Sequence, residues 1–296
     1  MHSRTGAARW LLVVLLLFVF GGVAARNVVA QAPQWTEPVA RVSRVPAASA
    51  ATNGDVAPHA LDPALRIAEA SLQHIRDNIA DYSAIFVKRC RVDGELPELQ
   101  YAQVKIRNRK TAGGRVETPL SVYLKFLKPE AVAGREVIWV EGRNDGQMIV
   151  HETGLKGVIN VYLDPHGYLA MRGQRYPITD IGIENLVVKL IETARRDRQR
   201  EECTVQIYRN ARIGKRACTM LEVVHPVRRP YFDFYRARVY FDNELNMPIR
   251  YESHSWPTQP GGEPVLEEEY SYLRLQTNLG LTDSDFDIAN PEYQFR

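Results

Sequence analysis

Two hydrophobic periods divide the chain. Leu65, Ala68, Leu72, Ile75 and Ile79 recur at three- and four-residue intervals, which places them on one face of a helix. Asp62 stands where a capping side chain belongs, and Pro63 fits the first helical position. After Asp81 the period drops to two. Alternation predicts strands at 82–91, 101–109, 120–127, 135–141, 147–152 and 158–163, with Asn144-Asp145-Gly146 turning the chain between the fourth and fifth. Helical spacing returns at Ile183, Leu186, Val187, Leu190, Ile191 and Ala194. Thr179 is the expected cap of this second helix, with Ile178 placed to staple onto Ile183. Strands resume at 203–209, 216–225, 234–241, 247–256 and 267–275. A final turn has Thr282 and Asp285 at capping-box spacing and Leu281 placed against Phe286.

Runs of strands with isolated helices predict an α+β domain, a large antiparallel sheet of about ten strands with the helices on one face. The strands carry a second signal. Val122, Leu124 and Phe126 share one face of their strand, while Tyr123, Lys125 and Leu127 share the other. Ile138 and Val140 oppose Val137 and Trp139 in the same way. Both faces are semi-apolar, more than one covering layer requires. Two readings stand equal on this pattern: a groove for a hydrophobic ligand, or an ordinary core in which helix fills the whole concavity.

The N-terminus changes the picture of where the domain works. Arg4 and Arg9 precede an apolar run, and small residues follow it up to Ala30. That order predicts a secretory signal peptide over 1–30. The apolar run is shorter than the roughly 20 residues of a membrane span, so no stable span is expected after cleavage. The 38 basic residues include Arg4, Arg9 and Arg26, and loss of 1–30 leaves 35 basic against 35 acidic. A neutral mature chain lacks the basic field that nucleic acid requires. Residues 31–61, rich in Ala and Pro, read as a flexible tether, and 62–296 as a single domain.

Motifs of catalysis are scarce. There is no GxSxG elbow, P-loop, GxGxxG after a strand or HExxH, so no cofactor is expected. His151, His166, His225 and His254 show no paired ligand spacing, and no metal site is predicted. Glu267–Tyr270 reads as a solvated strand face. The three cysteines, Cys90, Cys203 and Cys218, are an odd count for an oxidising compartment. With Ile213-Gly214 as the turn, Cys218 faces Arg209 instead of Cys203, and only a bulge would allow that disulfide. Cys90 reads as a buried, inert thiol despite Lys88, Arg89 and Arg91 beside it.

The stretches "YSAIFVKRCRVDGEL", "SVYLKFLKPEAVAGREVIWVEGRNDGQMIVHE", "LDPHGYLAMRGQRYPITDIGIENL", "CTMLEVVHPV" and "EEEYSYLRLQTNLGLTDSDFD" closely resemble an exported bacterial family known only as a domain of unknown function. The order helix, strand pair, "KF.KP", "GREV" and Asn-Asp-Gly hairpin, then a central helix, is more distantly similar to the LolA-like superfamily, which includes LolA, LppX and RseB. That resemblance implies an unclosed half-barrel, a curved antiparallel sheet with helices covering its concave face and a cavity for acyl chains. It transfers no individual ligand residue.

These readings converge on a periplasmic or secreted, non-enzymatic binder of a hydrophobic ligand such as an acyl lipid. Leu124, Phe126 and Trp139 are the expected cavity wall. Arg172 and Arg175, just ahead of the second helix, are the expected polar rim for an anionic head group. An envelope-sensing module that binds a protein partner, as RseB does, is the alternative, and a hydrolase the third.

Overall fold

The computed structural model describes residues 40–41, 59–154, 159–200 and 202–295. The predicted signal peptide and most of the predicted tether lie outside them. Helix α1 spans Asp62–Asn78, with Pro63 in its first turn. Asp62 is not the cap but the first helical residue. Its carboxylate accepts the backbone N–H of His59 at 2.8 Å and pairs with Arg198 at 2.6 Å, anchoring the helix start to a neighbour. Leu65, Ala68, Ile75 and Ile79 are buried, as their spacing requires.

The strands follow in two groups. Strand β1 is Ala40–Arg41, inside the stretch read as tether. The first group is β2 (Asp81–Cys90), β3 (Gln100–Arg107), β4 (Lys110–Ala112), β5 (Arg115–Thr118), β6 (Ser121–Lys128), β7 (Glu136–Val140), β8 (Met148–His151) and β9 (Asn160–Leu163). After the short α2 (Tyr168–Met171) and the long α3 (Ile183–Asp197) comes the second group. It comprises β10 (Thr204–Ile213), β11 (Arg216–Val224), β12 (Arg236–Asp242), β13 (Met247–Ser255) and β14 (Val265–Thr277). Twelve of these form one sheet in the order β1-β10-β11-β12-β13-β14-β2-β3-β6-β7-β8-β9, and β4 and β5 form a separate ribbon. The pairs are antiparallel, and the sheet stays open, with β1 and β9 as its edges.

Each group is a meander, and the two meet where β14 pairs with β2. Helices α1 and α3 lie on one face of the sheet and share a core with Phe86, Val104, Leu124, Val137, Val150, Val239 and Ile249. Ion pairs Arg76–Glu184, at 2.8 Å, and Arg195–Glu69, at 2.7 Å, hold the helices side by side. This is the expected architecture of helices on one face of an open antiparallel sheet.

The other face of β6–β8 is covered as well, which accounts for the two-sided apolar pattern. Tyr123, Ile138, Val140 and Ile149 pack against Phe286, Tyr293 and Phe295 from the C-terminal segment. Tyr293 stacks on Tyr123 with ring centroids 4.0 Å apart. Arg107 and Arg143 both pair with Asp283, at 2.7 and 2.6 Å, and Lys105 pairs with Asp285 at 2.9 Å. The capping box at Thr282 and Asp285 forms as its spacing predicts. His151 lies on this covered face, against Phe295 and hydrogen-bonded to Asn160 at 3.1 Å.

The start of α3 differs from expectation. Ile178–Asp180 form a separate 3-10 turn, and the helix begins at Ile183 after Gly182, whose φ of 122° is open to glycine. Thr179 bonds Asp180 instead of capping. The cap comes from another element: the Tyr82 hydroxyl on β2 accepts the Ile183 N–H at 2.8 Å. All three cysteines are free thiols: the turn falls at Gly214-Lys215, not Ile213-Gly214, so Cys218 pairs with Ala211, and Cys203 lies beyond the ladder. Among the described residues no helix is long and apolar enough to cross a membrane.

Candidate functional site

The concave face is not filled by its helices. A cavity of about 1310 Å³ lies between the sheet and a cover made of α3, α2 and the segment 172–182. Alternation along each strand decides what reaches it. Strand β2 presents Phe86, Lys88 and Cys90, while β3 presents Gln100 and Ala102. Leu124 and Phe126 come from β6, Val137 from β7, and Met148 and Val150 from β8. Register aligns these into rows: Phe86 opposes Ala102 and Ala102 opposes Phe126, while Leu124 opposes Val137 and Val137 opposes Val150. From the cover, Leu169, Ile178, Leu186 and Leu190 close the apolar side.

The end of the cavity at β13 and β14 is polar. Glu268 is buried and lines it. Its carboxylate accepts Tyr270 at 2.9 Å, Ser253 at 3.3 Å, and Tyr251 and Tyr176 at 3.4 Å each. Arg175 stands 3.7 Å from it and 3.6 Å from Glu267. Burial and then the Glu268 charge push Tyr176 up to about 12 and Tyr251 and Tyr270 above their ordinary 10, so all three remain phenols and donate. Cys90 Sγ lies 3.1 Å from the Tyr270 hydroxyl, and burial raises the thiol above its ordinary 9.0. It stays protonated at neutral pH.

The expected site residues separate. Leu124 and Phe126 line the cavity, as do Arg172 and Arg175. Trp139 does not: its side chain is buried in the same core, but its indole N–H is committed to the Gly146 carbonyl at 3.1 Å, closing the hairpin. Arg175 is engaged by the two glutamates, whereas Arg172 is exposed at the mouth.

The solvated reading of Glu267–Tyr270 is overturned. Glu268 faces the cavity, and the buried Glu269 faces the opposite side, where Arg89 and Arg250 bind it at 2.6 and 2.8 Å. Lys88 and Tyr251 also line the cavity, and the sequence reading does not single them out as site residues. The available signal was polar residues at positions that alternate with buried apolar ones. Among the described residues, no histidine lines the cavity and no cluster of three metal-ligating side chains occurs.

The family model of DUF1571, a protein of unknown function, matches residues 79–295. The chain belongs to the DUF1571 family. The match takes in every strand of the cavity wall, the whole cover and the C-terminal segment. A search among curated proteins finds no match to this DUF1571 chain.

Solved structures give distant likenesses. MucB, in a complex with MucA, is 18% identical with a TM-score of 0.40, over 79% of this chain and 61% of that one. The lipoprotein LppX of Mycobacterium tuberculosis is 12% identical with a TM-score of 0.38, over 74% and 99%. A LolA superfamily protein from Nitrosomonas europaea is 13% identical with a TM-score of 0.29, over 74% and 97%.

Proposed function

We propose that this chain is an exported, non-enzymatic binder of a hydrophobic ligand, holding the acyl part of a lipid or lipoprotein in the concave cavity. The observation that carries the reading is the cavity itself. Its volume of about 1310 Å³ exceeds the roughly 300–1,000 Å³ of ordinary small-molecule pockets. Protein interiors pack to crystal-like density, so a space of this size is not slack in a core. Rows of Phe86, Ala102, Leu124, Phe126, Val137 and Val150 offer one continuous apolar wall. Leu124 and Phe126 keep their proposed place on it, and Arg172 its place at the rim.

The test is native mass spectrometry of the chain purified gently from a bacterial periplasm, followed by organic extraction. A discrete mass increment that extracts as acyl lipid is expected. A bare chain, still bare after incubation with lipid vesicles, overturns the proposal. Ala102→Trp, which fills the centre of the wall without burying a charge, is expected to reduce the adduct at least severalfold in a folded protein.

A protein-binding role is the second reading. Tyr168 is 82% exposed and Leu169 67% exposed on α2, beside the mouth, and Ile159 and Tyr162 are exposed at the edge strand β9. Apolar side chains grouped in this way favour a contact surface. Tyr162→Ser with Tyr168→Ser, neither of which lines the cavity, leaves lipid uptake intact if the patch serves a partner alone.

A further inference from the structure

Five cations line the cavity, and they fall into three kinds. Arg135 pairs with Glu152 at 3.0 Å, and Arg175 pairs with Glu267 and Glu268. Arg172 and Lys189 are exposed to water. Lys88 is neither. It stands on β2 between Phe86 and Cys90, turned into the cavity and covered by the segment 172–182. Its ammonium donates to the neutral Gln174 side-chain oxygen and forms no ion pair with any carboxylate among the described residues. Its cross-strand neighbours are Tyr270 and Gln100, both uncharged. Burial holds the ammonium below its ordinary 10.5, opposed only by Cys90. Charges taken out of water are normally matched by a counter-ion, and this one has only an amide dipole.

The apolar rows lead away from Lys88. From β2 across β3, β6 and β7 to β8 they cross four strand spacings, roughly 19 Å at the ~4.8 Å separation of paired strands, and apolar residues line this path throughout. A chain laid along it places its head at Lys88 and its tail at Val150. We propose that Lys88 is the counter-ion for the anionic head group, carboxylate or phosphate ester, of a single-chain amphiphile lying in the cavity. The assignment rests on the acyl-chain reading of the cavity and moves the anion-binding role from Arg175, which is already engaged, to Lys88.

The experiment measures affinities of the delipidated full chain for dodecanoate, dodecyl phosphate, dodecanol and inorganic phosphate, in the wild type, Lys88→Met and Lys88→Arg. The wild type is expected to prefer one or both anionic amphiphiles over dodecanol by about tenfold or more, the scale of one charge-assisted hydrogen bond. Lys88→Met should remove that preference while leaving dodecanol binding within about twofold, and Lys88→Arg should restore most of it. An equal affinity for anion and alcohol, or a preference that survives Lys88→Met, overturns the assignment and leaves the acyl-chain reading standing. Failure of all three amphiphiles to bind overturns both. Inorganic phosphate binding as tightly as dodecyl phosphate, and losing it in Lys88→Met, overturns the amphiphile in favour of a free anion.

Discussion

Lys88 and Glu268 stand on neighbouring strands at the same end of the cavity, yet the protein treats their charges in opposite ways. Glu268 is satisfied four times over by hydroxyls and once by Arg175. Lys88 is covered and has no carboxylate, and its depressed titration records the cost. Below that depressed value the ammonium is charged in both folded and unfolded chains, and the cost is present in full. Stability then rises with pH between the depressed value and lysine's ordinary 10.5, because the unfolded chain holds its proton more firmly there. Lys88→Met is therefore expected to raise the melting temperature of the empty protein at neutral pH by about 2–4 °C, and the gain should shrink as pH approaches 10. A thermal scan at three pH values checks it. Sequence pattern could assign Lys88 and Glu268 each to a strand face but not show that both face one cavity, Lys88 half-buried and Glu268 buried. A run of three glutamates looks solvated until Arg89, Arg250 and the hydroxyls of Tyr251 and Ser253 arrive from other strands.

Among the elements, α1 and the strands were legible because each is written in its own residues, as a stripe or an alternation. The start of α3 was not, because its cap is on β2. Tyr82→Phe keeps the ring and removes the oxygen that accepts the Ile183 N–H. The buried N–H is then unpaired, and a loss of about 1–3 kcal/mol in urea denaturation is expected. The β4–β5 ribbon was missed because its residues are mostly polar and none is buried, leaving no face to impose alternation. The C-terminal segment carries a prediction of its own. Arg107 and Arg143 hold Asp283 below its ordinary 3.8, and for Asp285 burial is outweighed by Lys105. Both carboxylates have folded values below their unfolded ones, so their stabilising contribution is present above pH 3.8 and lost as pH falls through the lower folded values. Hydrogen exchange in residues 283–295 should accelerate first on acidification, ahead of β13 and β14.

At the scale of the whole molecule, the two-sided apolar strands had a plain cause that the pattern left open. One face lines the core and cavity, and the other is the seat of Phe286, Tyr293 and Phe295. Deleting residues 290–295 is expected to bare Tyr123, Ile138, Val140 and Ile149, lower the melting temperature and increase binding of an apolar dye, read by fluorescence. Unchanged fluorescence and melting would mean the cover contributes nothing.

The pairing of β14 with β2 joins residues about 180 positions apart, such as Cys90 and Glu268. Apart from the two-residue β1 on β10, the strands on either side of that junction are a succession of local hairpins, which close fast, whereas contacts so distant along the chain close late. Lys88 and Cys90 belong to one bank of the junction, Glu268 and Tyr270 to the other. The polar end of the cavity is thus assembled only when the two banks meet. A molecule lodged there spans both banks and acts as a rivet, and its departure leaves the sheet most open to parting along that one line.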